Sequence, residues 1–195
     1  MIRIFDIFIS LIGLILLSPI FFILSIWIIL DSKGPVIYKQ KRVGKDGIEF
    51  LLMKFRSMNI NSDIESQITI GNRDSRITNA GYFIRKFKLD ELPQFLNVLK
   101  GEMSIVGPRP EVQKYVEFYT EEQRKVLSFK PGITDYASIK FVNENELLAK
   151  SNDPESIYIN EILPIKIELN KIYLNSPTLK NYFSIIFLTI KGILK

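Results

Sequence analysis

The sequence predicts an α+β protein, predominantly helical, with a kinked apolar membrane helix over residues 1–31 and a compact membrane-associated domain over 32–195. Three observations carry this. Residues 7–30 hold no charge, and Asp6 and Asp31 close the segment on either side. Two short apolar runs flank Lys45-Asp46-Gly47, the pattern of a small β-hairpin. Leu89, Leu92, Leu96 and Leu99 recur at helical spacing, and further amphipathic stretches follow.

The apolar segment comes first. At about 1.5 Å per residue, a helix of this length reaches across a ~30 Å hydrocarbon core. It exceeds the apolar region of a signal peptide and no Ala-x-Ala site follows, so it reads as a retained membrane segment. Ser18-Pro19 lies near its middle. Proline removes a backbone hydrogen bond and clashes with the preceding turn, and the Ser18 hydroxyl is a candidate partner for the carbonyl set free. Two readings stay open: a kinked transmembrane helix, which the residues alone favour, and a hairpin that enters and leaves by one face. Lys33, Lys39, Lys41, Arg42 and Lys45 follow closely, which places the bulk of the chain in the cytoplasm.

Residues 36–38 and 48–53 are expected as the hairpin strands, 59–74 as a mobile polar loop and 77–87 as a helix. Pro93 is tolerated only in a first turn, so Asp90 and Glu91 fall at or just before a helix N-terminus, and Gly101 ends that helix. A short extended piece is expected over 103–106, an amphipathic helix over 111–129, a turn at Pro131-Gly132 and another helix over 154–175. Residues 182–194 are apolar but short for a span, and suit an interfacial helix.

Composition excludes much chemistry. With no histidine and no cysteine, the chain has no Ser-His triad, no thiol nucleophile and no ordinary zinc site. A metal here is hard and oxygen-bound, hence Mg²⁺ or Mn²⁺. The net charge of +5 suits phosphate-bearing substrates or anionic lipid. No DNA-binding motif or basic-aromatic alternation is present, so nucleic acid is not expected as a partner. Asp-x-Asp, Walker A and Gly-x-Gly-x-x-Gly patterns are all absent.

What remains is Asp90-Glu91 among cations. On a helix, neighbouring side chains diverge by about 100°, so the two carboxylates divide labour rather than act as one dyad. One can ligate a metal while the other attacks or takes a proton; the plain alternative is a solvated helix start. Arg85 and Lys88 precede the pair, and Lys54 and Arg56 close the second strand. Arg109, between Pro108 and Pro110, has a restricted backbone and can grip phosphate with two nitrogens.

These residues carry a resemblance. The order is Arg3-Ile4-Phe5-Asp6, the segment broken at Ser18-Pro19, Lys54-Phe55-Arg56-Ser57-Met58, Leu89-Asp90-Glu91-Leu92-Pro93-Gln94, Asn97 to Ser104, Val106-Gly107-Pro108-Arg109-Pro110 and Pro131-Gly132-Ile133-Thr134. Over nearly its whole length the chain resembles the bacterial sugar transferases, the small monotopic phosphoglycosyl transferases. The resemblance implies a re-entrant membrane helix broken at Ser18-Pro19 with both ends cytoplasmic, at the bacterial inner membrane. It also implies transfer of a sugar 1-phosphate from a UDP-sugar to polyprenyl phosphate, releasing UMP. Asp90 would be the nucleophile and Glu91 the Mg²⁺ ligand. Arg85 and Arg109 would bind phosphate, with Lys54, Lys88 and Arg56 completing the cation set. Downstream glycosyltransferases are the implied partners.

Three departures from the family pattern stand out. Asp135-Tyr136-Ala137-Ser138 replaces a frequent Gly-Trp-Ala-Gln, Lys130 replaces a frequent arginine, and Tyr182 stands where an aspartate is common. They bear on sugar identity, and the expected sugar is N-acetylated or deoxyamino. A UDP-releasing glycosyltransferase and a non-catalytic membrane-anchored binding protein are the alternative classes.

Overall fold

In the computed structural model, which describes residues 1–60, 71 and 74–193, the apolar N-terminal segment is two helices rather than one. Helix α1 (Ile2–Leu16) and helix α2 (Ser18–Asp31) meet at a 61° bend. Pro19 has no N–H to give the carbonyl of Ile15, four residues back. The Ser18 hydroxyl donates to that oxygen at 2.8 Å, so the break leaves it satisfied. No single helix among the described residues is long and apolar enough to cross a membrane, and the bent pair meets that test only jointly.

Both ends of the pair are fastened to the same body. Near the start, the Arg3 guanidinium donates to the carbonyls of Val98 and Leu99 at 2.6 and 3.1 Å. Asp6 is buried and accepts from the Ser104 hydroxyl, the Ile105 N–H and the Tyr182 hydroxyl, each at about 3 Å. At the far end, the buried Arg56 guanidinium donates to the carbonyls of Ile28, Ser32 and Lys33, and so caps α2. Asp31 accepts from the Ala80 N–H at 2.9 Å.

Strands β1 (Ile37–Val43) and β2 (Glu49–Phe55) pair antiparallel from Ile37 opposite Phe55 to Val43 opposite Glu49. Their connection, Lys45–Gly47, puts Asp46 and Gly47 at positive φ, as a tight hairpin turn requires. The hairpin is thus as expected, with longer strands. The polar loop expected over 59–74 lies largely outside the described residues. Helix α3 (Asn79–Lys86) is capped by Thr78 and occupies the expected place. Helix α4 (Gln94–Lys100) follows Pro93 and ends at Gly101, whose φ of 88° suits glycine.

Strand β3 (Ser104–Val106) pairs in parallel with β4 (Gly132–Thr134). Pro131-Gly132 is therefore the entry to a strand rather than the expected turn. The strands approach so closely that a Cβ on Gly132 would lie 2.1 Å from the Gly107 nitrogen, and one on Gly107 would lie 2.5 Å from the Lys130 carbonyl. Both glycines are set by this crossing.

Two expected helices are broken. Residues 111–129 form α5 (Gln113–Val116), α6 (Glu121–Arg124) and a 3₁₀ turn, Lys125–Ser128. Thr120 and Gln123 form a capping box that starts a new helix where the first would have continued. After α7 (Tyr136–Lys140) and α8 (Glu144–Ala149), residues 154–175 run as α9 (Pro154–Ile157), a wide π turn (Tyr158–Ile162) and α10 (Leu163–Leu174). Pro164 cannot bond backwards, and the wide turn immediately precedes it. Helix α11 (Leu179–Ile193) ends the described chain.

The main core runs from Val43 and Leu52 through Val98, Met103 and Val106 to Tyr182. A smaller cluster joins α2 to α3 through Leu24, Ile28, Phe55, Ala80 and Ile84. Several large apolar side chains remain at the surface. Phe8, Leu16, Phe22 and Leu30 of the bent pair, Phe83 and Phe87 near α3, and Phe187 of α11 are all exposed. Trp27 meets Phe83, joining α2 to α3, and Phe5 meets Phe183, joining α1 to α11.

Candidate active site

Asp90 and Glu91 sit on a 3₁₀ turn, Leu89–Glu91, between α3 and α4. Lys88 opens it at φ 56°, a left-handed conformation costly for a residue with a Cβ. That turn reverses the chain and sends the Asp90 side chain inward, where it is only 6% exposed.

The buried Asn97 amide aligns α4 with the hairpin. Its Oδ1 accepts from the Met53 N–H, and its Nδ2 donates to the Leu51 carbonyl and to Glu102. This registers β2 so that Lys54 lies 3.8 Å from Glu91. From the other side Arg109 meets Glu91 with both terminal nitrogens, one of them at 3.1 Å. The Arg109 backbone N–H donates to buried Asp135 at 3.0 Å, and Arg42 donates to the carbonyl of Pro110. Arg109 is thus held by side chain, main chain and flanking prolines.

The electrostatics of the two carboxyls diverge. Burial, joined by the charge of Glu91, raises the pKa of Asp90 above the usual carboxylate range against the pull of Lys54, Arg85 and Lys88. Burial also acts upward on Glu91, but the charges of Arg109 and Lys54 outweigh it and hold that carboxyl well below its ordinary value. Desolvation brings Lys54 down to about 8 despite Glu91. Glu91 raises Arg109 further, which therefore stays a fixed cation.

Of the residues singled out in the sequence, Asp90, Glu91, Lys54, Arg85, Lys88 and Arg109 come together on one cleft of about 1120 Å³. Arg56 touches the cleft wall, but its terminal nitrogens are spent on the carbonyls that end α2, so it acts as a staple. Ser18 and Pro19 make the break between α1 and α2, away from the carboxyl pair.

Other residues of the site were not foreseen. Asp135 supports Arg109 and caps α7 through the Ser138 N–H at 2.5 Å; its signal was the departure at that position, followed by a helix-start pattern. Glu111 lies 3.7 Å from Arg42 and accepts from the Tyr158 hydroxyl, a contact 47 residues apart that no local pattern announces.

Among the described residues no group of three or more acidic side chains forms a ready metal cage. A Mg²⁺ ion is commonly bound by one or two carboxylates together with substrate phosphates, and Glu91 fits that donor set while Asp90 is left for attack. Each Glu91 oxygen keeps a further lone pair beyond its bond to Arg109.

Known proteins are similar to this chain. The UDP-glucose:undecaprenyl-phosphate glucose-1-phosphate transferase of Klebsiella pneumoniae is 37% identical over 192 residues, covering 96% of this chain and 39% of that protein. The UDP-N-acetylgalactosamine-undecaprenyl-phosphate N-acetylgalactosaminephosphotransferase of Aeromonas hydrophila is 37% identical over 194 residues, covering 97% of this chain and 42% of that protein. The UDP-glucose:undecaprenyl-phosphate glucose-1-phosphate transferase of Escherichia coli (strain K12) is 42% identical over 139 residues, covering 69% of this chain and 30% of that protein. The chain thus spans about two fifths of the length of the first two. The family profile described as bacterial sugar transferase matches residues 1–195, the buried carboxyl, its cation ring and the paired glycine motifs included, and the chain belongs to that family.

Proposed function

We propose that this chain transfers a sugar 1-phosphate from a UDP-sugar to polyprenyl phosphate and releases UMP, through a covalent intermediate on Asp90. The observation that carries the reading is a buried carboxyl, facing a cleft, with Lys54, Arg85 and Lys88 acting on it and the Glu91–Arg109 pair beside it. The named relatives act on a UDP-sugar and undecaprenyl phosphate by their own names, which supports the same substrate classes here.

An Asp90 oxygen attacks the phosphorus that bears the sugar. A P–O bond forms, the bond to the bridging oxygen breaks, and UMP leaves with that electron pair. A polyprenyl phosphate oxygen then attacks the same phosphorus and the Asp90 carboxylate departs unchanged. An anion attacking an anion needs positive charge, which Arg109 supplies from a fixed position and to which Lys54, Arg85 and Lys88 add. Glu91 would hold a Mg²⁺ ion together with the substrate phosphates, and the ion would supply further charge neutralisation at the diphosphate.

The same reading covers the membrane. Both ends of the bent pair are tied to one body, by Arg3 and Asp6 and by Arg56 and Asp31, which favours a re-entrant hairpin over a crossing helix. Residues 1–31 would then be the membrane segment and 32–195 the domain on the cytoplasmic face of the inner membrane. The exposed apolar side chains of the bent pair, α3 and α11 suit lipid contact, where the polyprenyl acceptor resides. The expected sugar is N-acetylated or deoxyamino. Incubating the purified chain with Mg²⁺, undecaprenyl phosphate and a panel of UDP-sugars tests the reaction. UMP as the nucleotide product supports it; UDP, or no nucleotide release from any donor, overturns it.

A further inference from the structure

Away from the carboxyl pair, the cleft has a second polar end. Helices α7 and α10 pack together there and bring Ser138, Lys166 and Asn170 to the wall, joined by Glu144 of α8. Asn170 is only 6% exposed, yet its Oδ1 has no hydrogen-bond partner, and the buried Ser138 Oγ has none either. Orphaned buried polar atoms cost free energy unless something else satisfies them. By contrast Lys166 is engaged, paired with Glu144 and lying 4.8 Å from the centre of the Tyr158 ring.

This end is linked to the phosphate-binding end through one carboxylate. Asp135 accepts the Arg109 N–H on one oxygen and the Ser138 N–H on the other. Asp135 thereby ties the backbone that carries Arg109 to the first turn of α7, which carries Ser138, and both residues line the same cleft. We propose that Ser138 and Asn170, backed by the Glu144–Lys166 pair, form the subsite that reads the sugar of the donor. Asn170 Oδ1 accepts from a ring hydroxyl or an amide N–H, and Ser138 Oγ takes a second polar substituent. A polyprenyl chain would gain nothing from unpaired oxygens, whereas a sugar offers a donor at nearly every carbon. The subsite rests on the proposed use of a UDP-sugar.

The test uses the full chain in detergent with Mg²⁺. UDP binding is titrated for the unaltered protein, Ser138→Ala and Asn170→Ala. UMP release is measured with UDP-N-acetylgalactosamine, UDP-N-acetylglucosamine, UDP-galactose and UDP-glucose as donors and undecaprenyl phosphate as acceptor. The expected result is a change of about tenfold in the ratio of kcat/KM between preferred and disfavoured sugars, with UDP affinity unchanged. Equal losses for all four donors would overturn the subsite and leave the reaction standing. Weakened binding of UDP itself would also overturn it, by reassigning these residues to the nucleotide. No UMP from the unaltered protein with any donor would remove the reaction and the subsite together. If Asn170→Ala lowers the melting temperature sharply, Ser138→Ala, which deletes a single oxygen, decides the matter.

Discussion

Arg109 holds Glu91 with two nitrogens while Asp135 holds its main chain, so its position leaves little to adjust when substrate arrives. Lysine cannot reproduce the two-pronged contact. Arg109→Lys should lower kcat/KM about tenfold or more, corresponding to ~1.4 kcal/mol at a partly exposed pair. Steady-state UMP release checks this, and unchanged kinetics would exclude Arg109 from the reaction. The carboxyl pair and the arginine were legible from the sequence because they stand in short motifs with unusual neighbours. Asp135 and Asn97 were not read as parts of the site. Their carboxylate and amide serve backbone groups far along the chain, and only the folded contact reveals that use. Tyr182 is explained in the same way: its hydroxyl donates to the buried Asp6, 176 residues away.

At the scale of elements, local chemistry was readable and long-range fastening was not. The Ser18-Pro19 break, the hairpin turn and the Gly101 stop each follow from the conformational limits of two or three residues. The division of 111–129 and 154–175 was missed because amphipathic periodicity continues across both interruptions. The clamp made by Arg56 joins residues 23 to 28 positions apart. Arg56→Ala should remove these charged hydrogen bonds from a buried site and cost about 3 kcal/mol, seen as a lower melting temperature. A melting temperature within experimental error of the unaltered protein would contradict the clamp. The clamps also bear on topology, and the absence of cysteine makes labelling simple. In sealed vesicles a membrane-impermeant thiol reagent should reach Ile4→Cys from the same side as Lys45→Cys. The result should persist in a Pro19→Ala background, because Arg3, Asp6 and Arg56 still fasten both ends. Labelling of position 4 from the opposite side would show a crossing helix.

The whole molecule stores many phenols in its interior. Burial, aided by neighbouring acids, raises Tyr115, Tyr119, Tyr158 and Tyr182, and brings Tyr173 up to about 12. A tyrosine raised in the folded state binds its proton more tightly there than in the unfolded chain. The stabilisation is complete below about pH 10 and is lost as pH rises through the folded values. Melting temperature should therefore fall steeply between pH 10 and 12, and a flat profile over that window would refute the account. At this scale the helical class, the bent N-terminal pair and the hairpin were readable from one charge-free segment, one Ser-Pro break and one turn. The parallel β3–β4 contact and the cleft between distant helices depend on packing that sequence spacing does not record. The central claim is the covalent step at Asp90, and the most direct test is the intact mass of the protein after incubation with Mg²⁺ and a UDP-sugar, without lipid acceptor. A gain equal to one sugar phosphate, absent in Asp90→Asn, is the predicted result. No gain from any donor, with UMP formed only once polyprenyl phosphate is added, would contradict it.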